Sequence, residues 1–416
     1  MRQNEVIAKK LAESLSFIDI VEGEFSTKIF YQEKIIGSQG SIGFKREAIS
    51  IIQGCVDDIL GIKHSKFGPL YKSLDNEHVY NFLTEITSDA KKNPESNKYD
   101  LLLIKLDEFI KNLKIFTFSS YIKIGCLKVT KKHDFGSFKF FPNHEKFLEE
   151  LTKEKEDHIR QKILRDFQKN SDFFSSVMEL QVQALDEKQA KTKTLQNVVD
   201  ILNIFKVLGA KGIIHEGETQ LGYHDVYLLN HDTGTMHQIA QIENVGKIGA
   251  LFDLDMFEQK NPHIVNKIKS CFNPEGPTPL ERKMINSLIW LGESIYETHM
   301  SHRLLKMIIS IESLLLDSDD RGTKSYLLEE RAAFLLGNNY EVRCFVGDTI
   351  KEAYNVRNTI VHSGDKHPIP LRLIKRLLFV SHDLNMLFLT SGKYKTFEDI
   401  RVEVRNKKFQ KITESH

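Results

Sequence analysis

The sequence has few of the residues that define several special classes of protein. Its 416 residues include four cysteines, nine prolines and one tryptophan, and the net charge is +1. The cysteines lie far apart with no Cys-x-x-Cys pair, which argues against a disulfide framework or a zinc ribbon and favours reduced thiols in a cytosolic protein. A charge this small gives no global attraction for nucleic acid, so any polyanion site must be local.

Long apolar runs are also missing. No apolar stretch approaches the ~18 residues that a membrane helix needs, and the start, MRQNEVIAKKLAESLSF, is charged and helical, unlike a secretory signal. We therefore expect a cytoplasmic protein with no membrane partner. Hydrophobic residues make up 41% of the chain and charged residues 28%, which excludes collagen-like, mucin-like and wholly disordered chains.

The order of periodic segments predicts an α+β fold, in which a mixed α/β N-terminal region precedes an all-α C-terminal bundle. Short alternating strands are predicted from Ser14 to about Phe44, and helices over 74–115 with a break at 91–98. A strand pair is predicted at 121–129 and 137–141, around the polar turn KKHDFG.

The middle of the chain is predicted to contain charged helices and short strands. Residues 144–169 could form a basic helix that binds RNA, but acids balance bases there, which favours an exposed helix with i,i+4 ion pairs. An amphipathic helix is predicted over 186–209, and short strands over 211–256. Four histidines of that strand region have no compact ligand spacing, so surface positions are favoured over a metal site: His215, His224, His231 and His237.

The clearest boundary lies at residues 274–279, where three prolines fall within six positions. The length predicts two or three domains. The predicted parts are a mixed α/β region at 1–143, a middle region at 144–270, a helical bundle at 280–392 and a basic tail at 393–416.

Four helices are predicted in the bundle, and their short connections predict an antiparallel arrangement. Gly337 is predicted to end the second helix in a left-handed conformation, and Pro368 and Pro370 prevent the third from continuing. The helices run from about Leu280 to Leu316, over Tyr326–Leu336, from near Tyr340 to Ser363, and over Leu371–Thr390.

The residues with the strongest chemical character are VRNTIVHSG at 356–364. Asn358 and His362 are four apart and share a helix face, whereas Arg357 and His362 are about 140° apart, so only a long side chain such as arginine could reach the same phosphate. His362 lies at the helix C-terminus, and histidine is suited to general acid/base chemistry near neutral pH.

Two other histidine patterns have a structural interpretation. Arg376 and His382 also match the spacing Arg-x4–6-His, but this histidine lies mid-helix and no amide residue follows the arginine. His299 and His302 are three apart with no third metal ligand nearby, so a helix-surface position is favoured.

The bundle resembles the HEPN domains, and within them the Apea-like group, over roughly Leu288–Leu389. The resemblance rests on SIESLLLD at 310–317, EERAAFLLG at 329–337 and AYNVRNTIVHSG at 353–364. The segment DFGSFKFFPN at 134–143 is similar to the region that often precedes this domain. The resemblance implies a metal-independent endoribonuclease without a cofactor, often in phage defence (abortive infection) or toxin systems. It also implies a homodimer in which two Arg-x4–6-His motifs face each other.

The resemblance further implies a role for each motif residue. Arg357 would bind the scissile phosphate, His362 would act as general acid/base, and Asn358 would bind substrate or orient the pair. The expected reaction on RNA is 2′-hydroxyl attack on the adjacent phosphate, which DNA cannot undergo. Glu312 and Arg331 match polar positions of the family helices, where buried ion pairing that braces the bundle is favoured over direct catalysis.

One family feature is missing. HEPN toxins regulated by a partner nucleotidyltransferase usually carry a tyrosine two residues beyond the histidine, and that position here is Gly364. Regulation by AMP transfer to this site is therefore not expected.

The leading hypothesis is a dimeric ribonuclease of structured or transfer RNA, whose N-terminal region senses a phage or regulatory trigger or selects substrate. Four cations after the motif could extend a phosphate-binding track, or could simply be solvated: Lys366, Arg372, Lys375 and Arg376. The alternative is a non-catalytic HEPN module for dimerisation or for nucleotide or RNA binding. A hydrolase within residues 1–270 has little support, because no phosphate loop or hydrolase motif occurs there.

Overall fold

The computed structural model of the chain has an α+β fold, as predicted. The chain divides into two compact units, Met1–Thr117 with Gln183–Ala190, and Phe118–Val182 with Lys191–His416. The finer four-part division remains a prediction. The structure describes isolated residues between 149 and 165 and, continuously, residues 3–21, 33–37, 40–44, 48–52, 54–55, 76–92, 97–112, 116–142, 174–209, 222–240, 252–273, 276–363 and 368–409.

The described part of the first unit contains helices and a small antiparallel sheet. The sheet order is β1-β3-β2, and its strands lie within the region predicted to contain them. The break predicted at 91–98 separates α2 from α3. The elements are helix α1 Gln3–Ser14, strands β1 Ile18–Val21, β2 Glu33–Gly37 and β3 Gly40–Phe44, and helices α2 Asn76–Lys92 and α3 Lys98–Asn112.

Helices α1, α2 and α3 share one apolar core, to which the described helical residues Ala48, Ile52 and Cys55 also contribute. Each of the three helices contributes a pair of fully buried side chains four positions apart, which places both on one helix face. These pairs are Ile7 and Leu11 from α1, Val79 and Leu83 from α2, and Leu102 and Leu106 from α3. At the edge of this core Lys91 Nζ donates to the Leu15 carbonyl at 2.9 Å, which ties the end of α2 to the turn after α1.

A six-stranded sheet forms the first part of the second unit, in the order β10-β9-β4-β8-β7-β6. Its strands are rich in β-branched and aromatic residues, which suit a pleated surface. They are β4 Phe116–Gly125, β6 His133–Asp134, β7 Phe138–Pro142, β8 Phe174–Ala184, β9 Gly222–Asn230 and β10 Met236–Ala240. Strands β5 Leu127–Lys128 and β11 Phe252–Asp253 form a separate parallel pair.

The strand pair predicted at 121–129 and 137–141 is wrong in its pairing. Strands exist at both places, but β8 lies between β4 and β7 in the sheet. The polar turn instead leads into β6, which pairs antiparallel with β7, with His133 opposite Phe140. The closeness of the two segments in sequence favours a direct pairing between them. The strand that pairs with β7 is instead β8, which begins more than thirty residues further along the chain.

Helix α4, Glu187–Gly209, packs on one face of this sheet and confirms the helix predicted over 186–209. Phe205 meets Phe135, Phe138 and Phe140 edge-on at centroid distances of 5.6, 6.3 and 5.2 Å. On Gly292, in the following bundle, a Cβ would lie 2.6 Å from the Asn203 carbonyl carbon of α4. Only glycine permits this close helix–helix approach. Most of the charged helix predicted at 144–169 lies outside the described residues.

The C-terminal part of the second unit is a helical bundle. Helix α7 begins with a complete capping box between Thr278 and Glu281, with Pro279 in its first turn. The helices are α5 Leu254–Lys260, α6 Pro262–Cys271, α7 Pro279–Ile295, α8 Met300–Leu315, α9 Lys324–Leu336, α10 Tyr340–Ser363, α11 Leu371–Thr390 and α12 Phe397–Phe409.

The long first helix predicted from Leu280 to Leu316 is two helices, α7 and α8, that pack against each other. Between them Glu297 accepts hydrogen bonds from the His299 backbone N–H at 3.0 Å and from Lys306 Nζ at 2.9 Å. His299 is extended, with φ −83° and ψ 114°. These contacts form a turn with neither glycine nor proline, so the apolar period continues across it.

The predicted ends of α9, α10 and α11 are close to the observed ones. One difference concerns the reason why a glycine ends α9. Gly337 ends α9 as predicted, but with φ −84° rather than a left-handed conformation. A Cβ there would lie 2.6 Å from the Ala333 carbonyl oxygen and would also clash with Arg343. Gly337 is therefore required by crowding.

Residues 393–416, predicted as a basic tail, contain helix α12, which packs on α9. Its buried side chains Ile400 and Val404 are four apart and form its inner face. Across the described residues, no helix has the length and apolar content needed to cross a membrane. The four cysteines are free thiols.

Candidate active site

The burial profile of α10 separates a buried part of the helix from the end that contains the candidate residues. The stripe from Val346 through Ile350 and Ala353 to Tyr354 is buried, with Tyr354 8% exposed. No described residue of the helix beyond Tyr354 is buried. The last two turns of the helix thus extend past the bundle core, and they contain the candidate residues.

Arg357 is half-buried and is held by two contacts from its own helix. Its Nη1 donates to Asn358 Oδ1 at 3.3 Å, and its guanidinium carbon lies 5.4 Å from the centroid of the Tyr354 ring. Among the described residues no carboxylate forms an ion pair with it. A guanidinium has five N–H donors, so donors remain for an anion after the bond to Asn358.

Tyr354 connects Arg357 to the bundle interior. Burial raises the pKa of Tyr354, the nearby Glu312 carboxylate raises the pKa further, and the positive charge of Arg357 opposes the shift. One of the carboxylate oxygens, Glu312 Oε1, is buried and has no hydrogen-bond partner in the described part of the chain. Glu312, Tyr354 and Arg357 therefore form a row from the core to the helix end.

His362 is exposed near the C-terminus of α10. An ideal helix turns by about 100° per residue, so His362 and Arg357 differ in direction by about 140°. Accordingly, no hydrogen bond joins His362 to Arg357 or Asn358, all three of which are described. One chain presents the imidazole and the guanidinium at the same helix end but does not bring them into contact.

The basic residues after the motif fall into two groups. Arg372 and Lys375 are exposed on α11. Arg376 is held in the bundle, because it pairs with Glu352 at 3.7 Å and its guanidinium lies 4.7 Å from the centroid of the Phe345 ring. Lys366 lies outside the described residues.

The second Arg-x4–6-His match, formed by Arg376 and His382, has structural contacts. His382 is half-buried, with Nδ1 3.5 Å from the adjacent Asp383 carboxylate. These contacts, with those of Arg376, agree with the structural role predicted for this pair.

Arg331 and Glu312 differ in their contacts, although both match polar family positions. Arg331 forms a bidentate ion pair with Asp320, at 2.5 and 2.7 Å, and donates to the Leu315 carbonyl at 2.6 Å. This confirms buried ion pairing for Arg331. Glu312 takes no part in that pair and contacts Tyr354 instead.

The other histidines singled out do not assemble with further ligands. His231 Nε2 lies 2.7 Å from the hydroxyl of buried Ser119, and the rings of His299 and His302 meet edge-on at 5.4 Å. His215 and the side chains of His224 and His237 lie outside the described residues. Within the described ranges no group of three metal-binding side chains is present.

Sequence reasoning missed the connection through Tyr354. A tyrosine three residues before an arginine lies one helical turn away on a neighbouring face, so the spacing signals the contact. The role of Glu312 in that row depends on how α8 packs against α10, which the spacing does not reveal.

Comparisons of the chain with protein-family models, with curated proteins and with solved structures found no match. The resemblance to HEPN domains therefore rests on the residues quoted from the sequence, and the roles it implies are proposals.

Proposed function

We propose that the chain is a metal-independent endoribonuclease of the HEPN type that acts in the cytoplasm, in phage defence or a toxin system. The observation that carries this proposal is the exposure of the last two turns of α10, where Arg357 and Asn358 are half-buried and His362 is exposed. The guanidinium of Arg357, which has no ion-pair partner among the described residues, can bind an anion. The Asn358 amide can orient the substrate, and the exposed His362 imidazole can carry a proton.

The proposed reaction is a transesterification within the RNA. The ribose 2′-oxygen attacks the adjacent phosphorus, a P–O2′ bond forms, and the P–O5′ bond breaks. The 2′-hydroxyl loses a proton to a base and the 5′-oxygen gains one from an acid, so the products are a 2′,3′-cyclic phosphate and a 5′-hydroxyl. His362 is the proposed acid/base, and Arg357 stabilises charge on the phosphate.

The contacts of Arg357 suit this role. Its bond to Asn358 and its position beside the Tyr354 ring restrict a side chain that would otherwise pay rotamer entropy on binding an anion. A held guanidinium is a better phosphate ligand than a free one because less order is lost when the substrate arrives. Arg372 and Lys375 follow on α11 and would contact neighbouring phosphates.

Cleavage of total RNA in the presence of EDTA tests the proposal. The wild type is expected to cut RNA, and the new ends are expected to be 2′,3′-cyclic phosphate and 5′-hydroxyl. His362→Ala removes the acid/base group and is expected to lower the rate by about 10²–10⁴-fold. His382→Ala is the matched control, because it removes the histidine of the second motif match and is expected to keep full activity.

The outcome that would contradict the proposal is equal cleavage by the wild type and His362→Ala, in preparations that a mock purification shows to be free of contaminating nuclease. Products with 3′-hydroxyl ends would also contradict it, because 2′-hydroxyl attack cannot produce them.

The reaction needs two proton transfers, and one chain supplies one motif histidine. We therefore propose that two copies pair so that their motifs share one substrate. Mixing equal amounts of wild-type and His362→Ala chains and allowing exchange is expected to leave about a quarter of the activity of the same total amount of wild type, because only about a quarter of randomly re-formed dimers contain two intact histidines. A mixture that keeps about half of that activity would contradict the pairing while leaving the wild-type activity unaffected.

A second candidate is a non-catalytic module that binds RNA or nucleotide. The contacts of Arg357 favour this non-catalytic candidate. They are made to Asn358 and Tyr354 of its own helix, and neither partner is the proposed acid/base His362. RNA binding by the wild type without any turnover, together with unchanged binding by His362→Ala, would support this candidate.

A further inference from the structure

A pocket of about 240 Å³ lies between α9 and α12, away from the motif residues in sequence. Val404 forms part of its wall, and the other residues that line it are Glu330, Arg331, Arg401, Arg405, Lys408 and Phe409. Four of these carry positive charge and one carries negative charge. The wall of the pocket thus contains more cations than anions, although carboxylates pair with Arg331, Arg401 and Lys408.

The cations differ in what holds them. Arg331 and Arg401 both donate to the Asp320 carboxylate, Arg401 at 3.0 Å, and Asp320 is not part of the pocket wall. Lys408 pairs with Glu330. Arg405 is exposed and makes no hydrogen bond or ion pair in the described part of the chain. The ion pairs fix the surrounding helices, and Arg405 remains as a guanidinium with its donors available.

The remaining wall is apolar. Val404 is buried, and Phe409 at the end of α12 is 74% exposed. An aromatic ring this exposed offers a surface on which a nucleobase can stack. A phosphate monoester carries about −1.5 to −2 charges at neutral pH and accepts paired N–H donors from arginine. Ligand pockets of proteins usually measure about 300–1,000 Å³, so this smaller pocket suits a small ligand, part of which stays outside.

We propose that this pocket binds a nucleoside 5′-monophosphate, whose phosphate accepts hydrogen bonds from Arg405 and whose base stacks on Phe409. Lys408 and Arg401 line the same pocket but are paired with carboxylates, so Arg405 is the cation available to the phosphate. Neither Arg357 nor His362 takes part, so the site does not depend on the proposed nuclease function.

Isothermal titration of the full chain tests the proposal with three probes: AMP, adenosine and inorganic phosphate. AMP is expected to bind about tenfold or more tightly than inorganic phosphate, because the base contributes stacking, and adenosine is expected to bind weakly because it has no phosphate. Arg405→Ala is expected to weaken AMP binding about tenfold or more. Phe409→Ala is expected to reduce the affinity for AMP to about that for phosphate.

Two matched variants locate the ligand. Arg321→Ala removes another exposed arginine, on the α8–α9 loop outside the pocket wall, and is expected to bind AMP like the wild type. Arg357→Ala is expected to do the same. The proposal is overturned if Arg405→Ala binds AMP like the wild type, if AMP shows no binding at about 10 mM, or if Arg357→Ala abolishes the binding. Circular dichroism checks that each variant is folded.

Discussion

Replacing Asp320 is expected to destabilise the bundle strongly, although this residue lies in a loop between α8 and α9. Its side chain is 8% exposed, and that of its partner Arg331 is 7% exposed. Asp320 accepts two bonds from Arg331, at 2.5 and 2.7 Å, one from Arg401 at 3.0 Å and one from the Asp317 backbone N–H at 2.8 Å. Asp320→Ala leaves the Arg331 guanidinium buried without its counter-charge.

Removing one partner of a buried ion pair lowers the free energy of unfolding by about 3–5 kcal/mol, because the remaining charge is shielded from solvent and has no counter-charge. With a urea dependence of about 2 kcal/mol per molar, a loss of about 4 kcal/mol moves the unfolding midpoint down by about 2 M. The single tryptophan, Trp290, lies in α7, so its fluorescence reports unfolding of this unit. Asp319→Ala, an exposed neighbour, is the control and is expected to change the free energy of unfolding by less than about 0.5 kcal/mol.

The same ion pair predicts how stability depends on pH. The bonds from Arg331 hold the pKa of Asp320 well below its usual range, whereas the unfolded chain has an aspartate pKa of about 3.9. The stabilisation is therefore fully present above about pH 5 and is lost as the pH falls toward the folded pKa. The difference between the wild type and Asp320→Asn is expected to shrink below about pH 4. A midpoint for Asp320→Ala within about 0.3 M urea of the wild type would refute this reasoning.

Two further substitutions test particular contacts. Tyr354→Phe keeps the ring beside Arg357 but removes the hydroxyl that interacts with the Glu312 carboxylate. Because Arg357 is then less well positioned, RNA cleavage is expected to fall about 2–10-fold with little change in stability. A rate equal to the wild type would contradict the role of this row. Gly337→Ala places a Cβ 2.6 Å from the Ala333 carbonyl oxygen and is expected to lower the free energy of unfolding by about 1–3 kcal/mol. Gly347→Ala, whose Cβ would meet only the flexible Glu329 side chain at 3.3 Å, is its control in thermal unfolding, and equal stability of the two variants would contradict the crowding argument.

The sequence predicted the bundle helices correctly where residues that start or stop a helix lie at both ends. Helix α11 begins after Pro370 and ends at Thr390, as predicted, because proline fixes the start and the apolar stripe continues without interruption. The break between α7 and α8 was missed because it depends on bonds from the Glu297 side chain. Periodicity reports which side of a helix is buried, but it does not report a turn formed by charged side chains.

Strand order was the least predictable part of the fold. The pairing of β7 with β8 joins Phe138 to Leu180 and Phe140 to Met178, across a long intervening segment. Nothing in either strand specifies this partner, because many apolar strands could occupy the same position beside β7. Helix α12 was missed because its many charged residues mask a short inner face formed by Ile400 and Val404.

The candidate site was more predictable than the sheet, because its residues lie on one helix. The local spacing of Arg357, Asn358 and His362 fixes their relative directions, and those directions follow once α10 forms. What the spacing cannot fix is the point at which the helix leaves the core. That point is set by which side chains of α8 and α11 pack against α10, and it falls just after Tyr354.

The position just after Tyr354, where α10 leaves the core, separates variants that affect the candidate site from variants that affect stability. Arg357 is half-buried and its guanidinium lies beside the Tyr354 ring, and His362 is exposed, so changing either removes little core packing. Asp320 and Arg331 are buried and paired, so changing them lowers stability first. A bundle whose candidate site residues lie outside the buried stripe can vary them without losing its fold. If His362→Ala proved as unstable as Asp320→Ala, this division would be wrong, and any loss of RNA cleavage in that variant would reflect unfolding instead of chemistry.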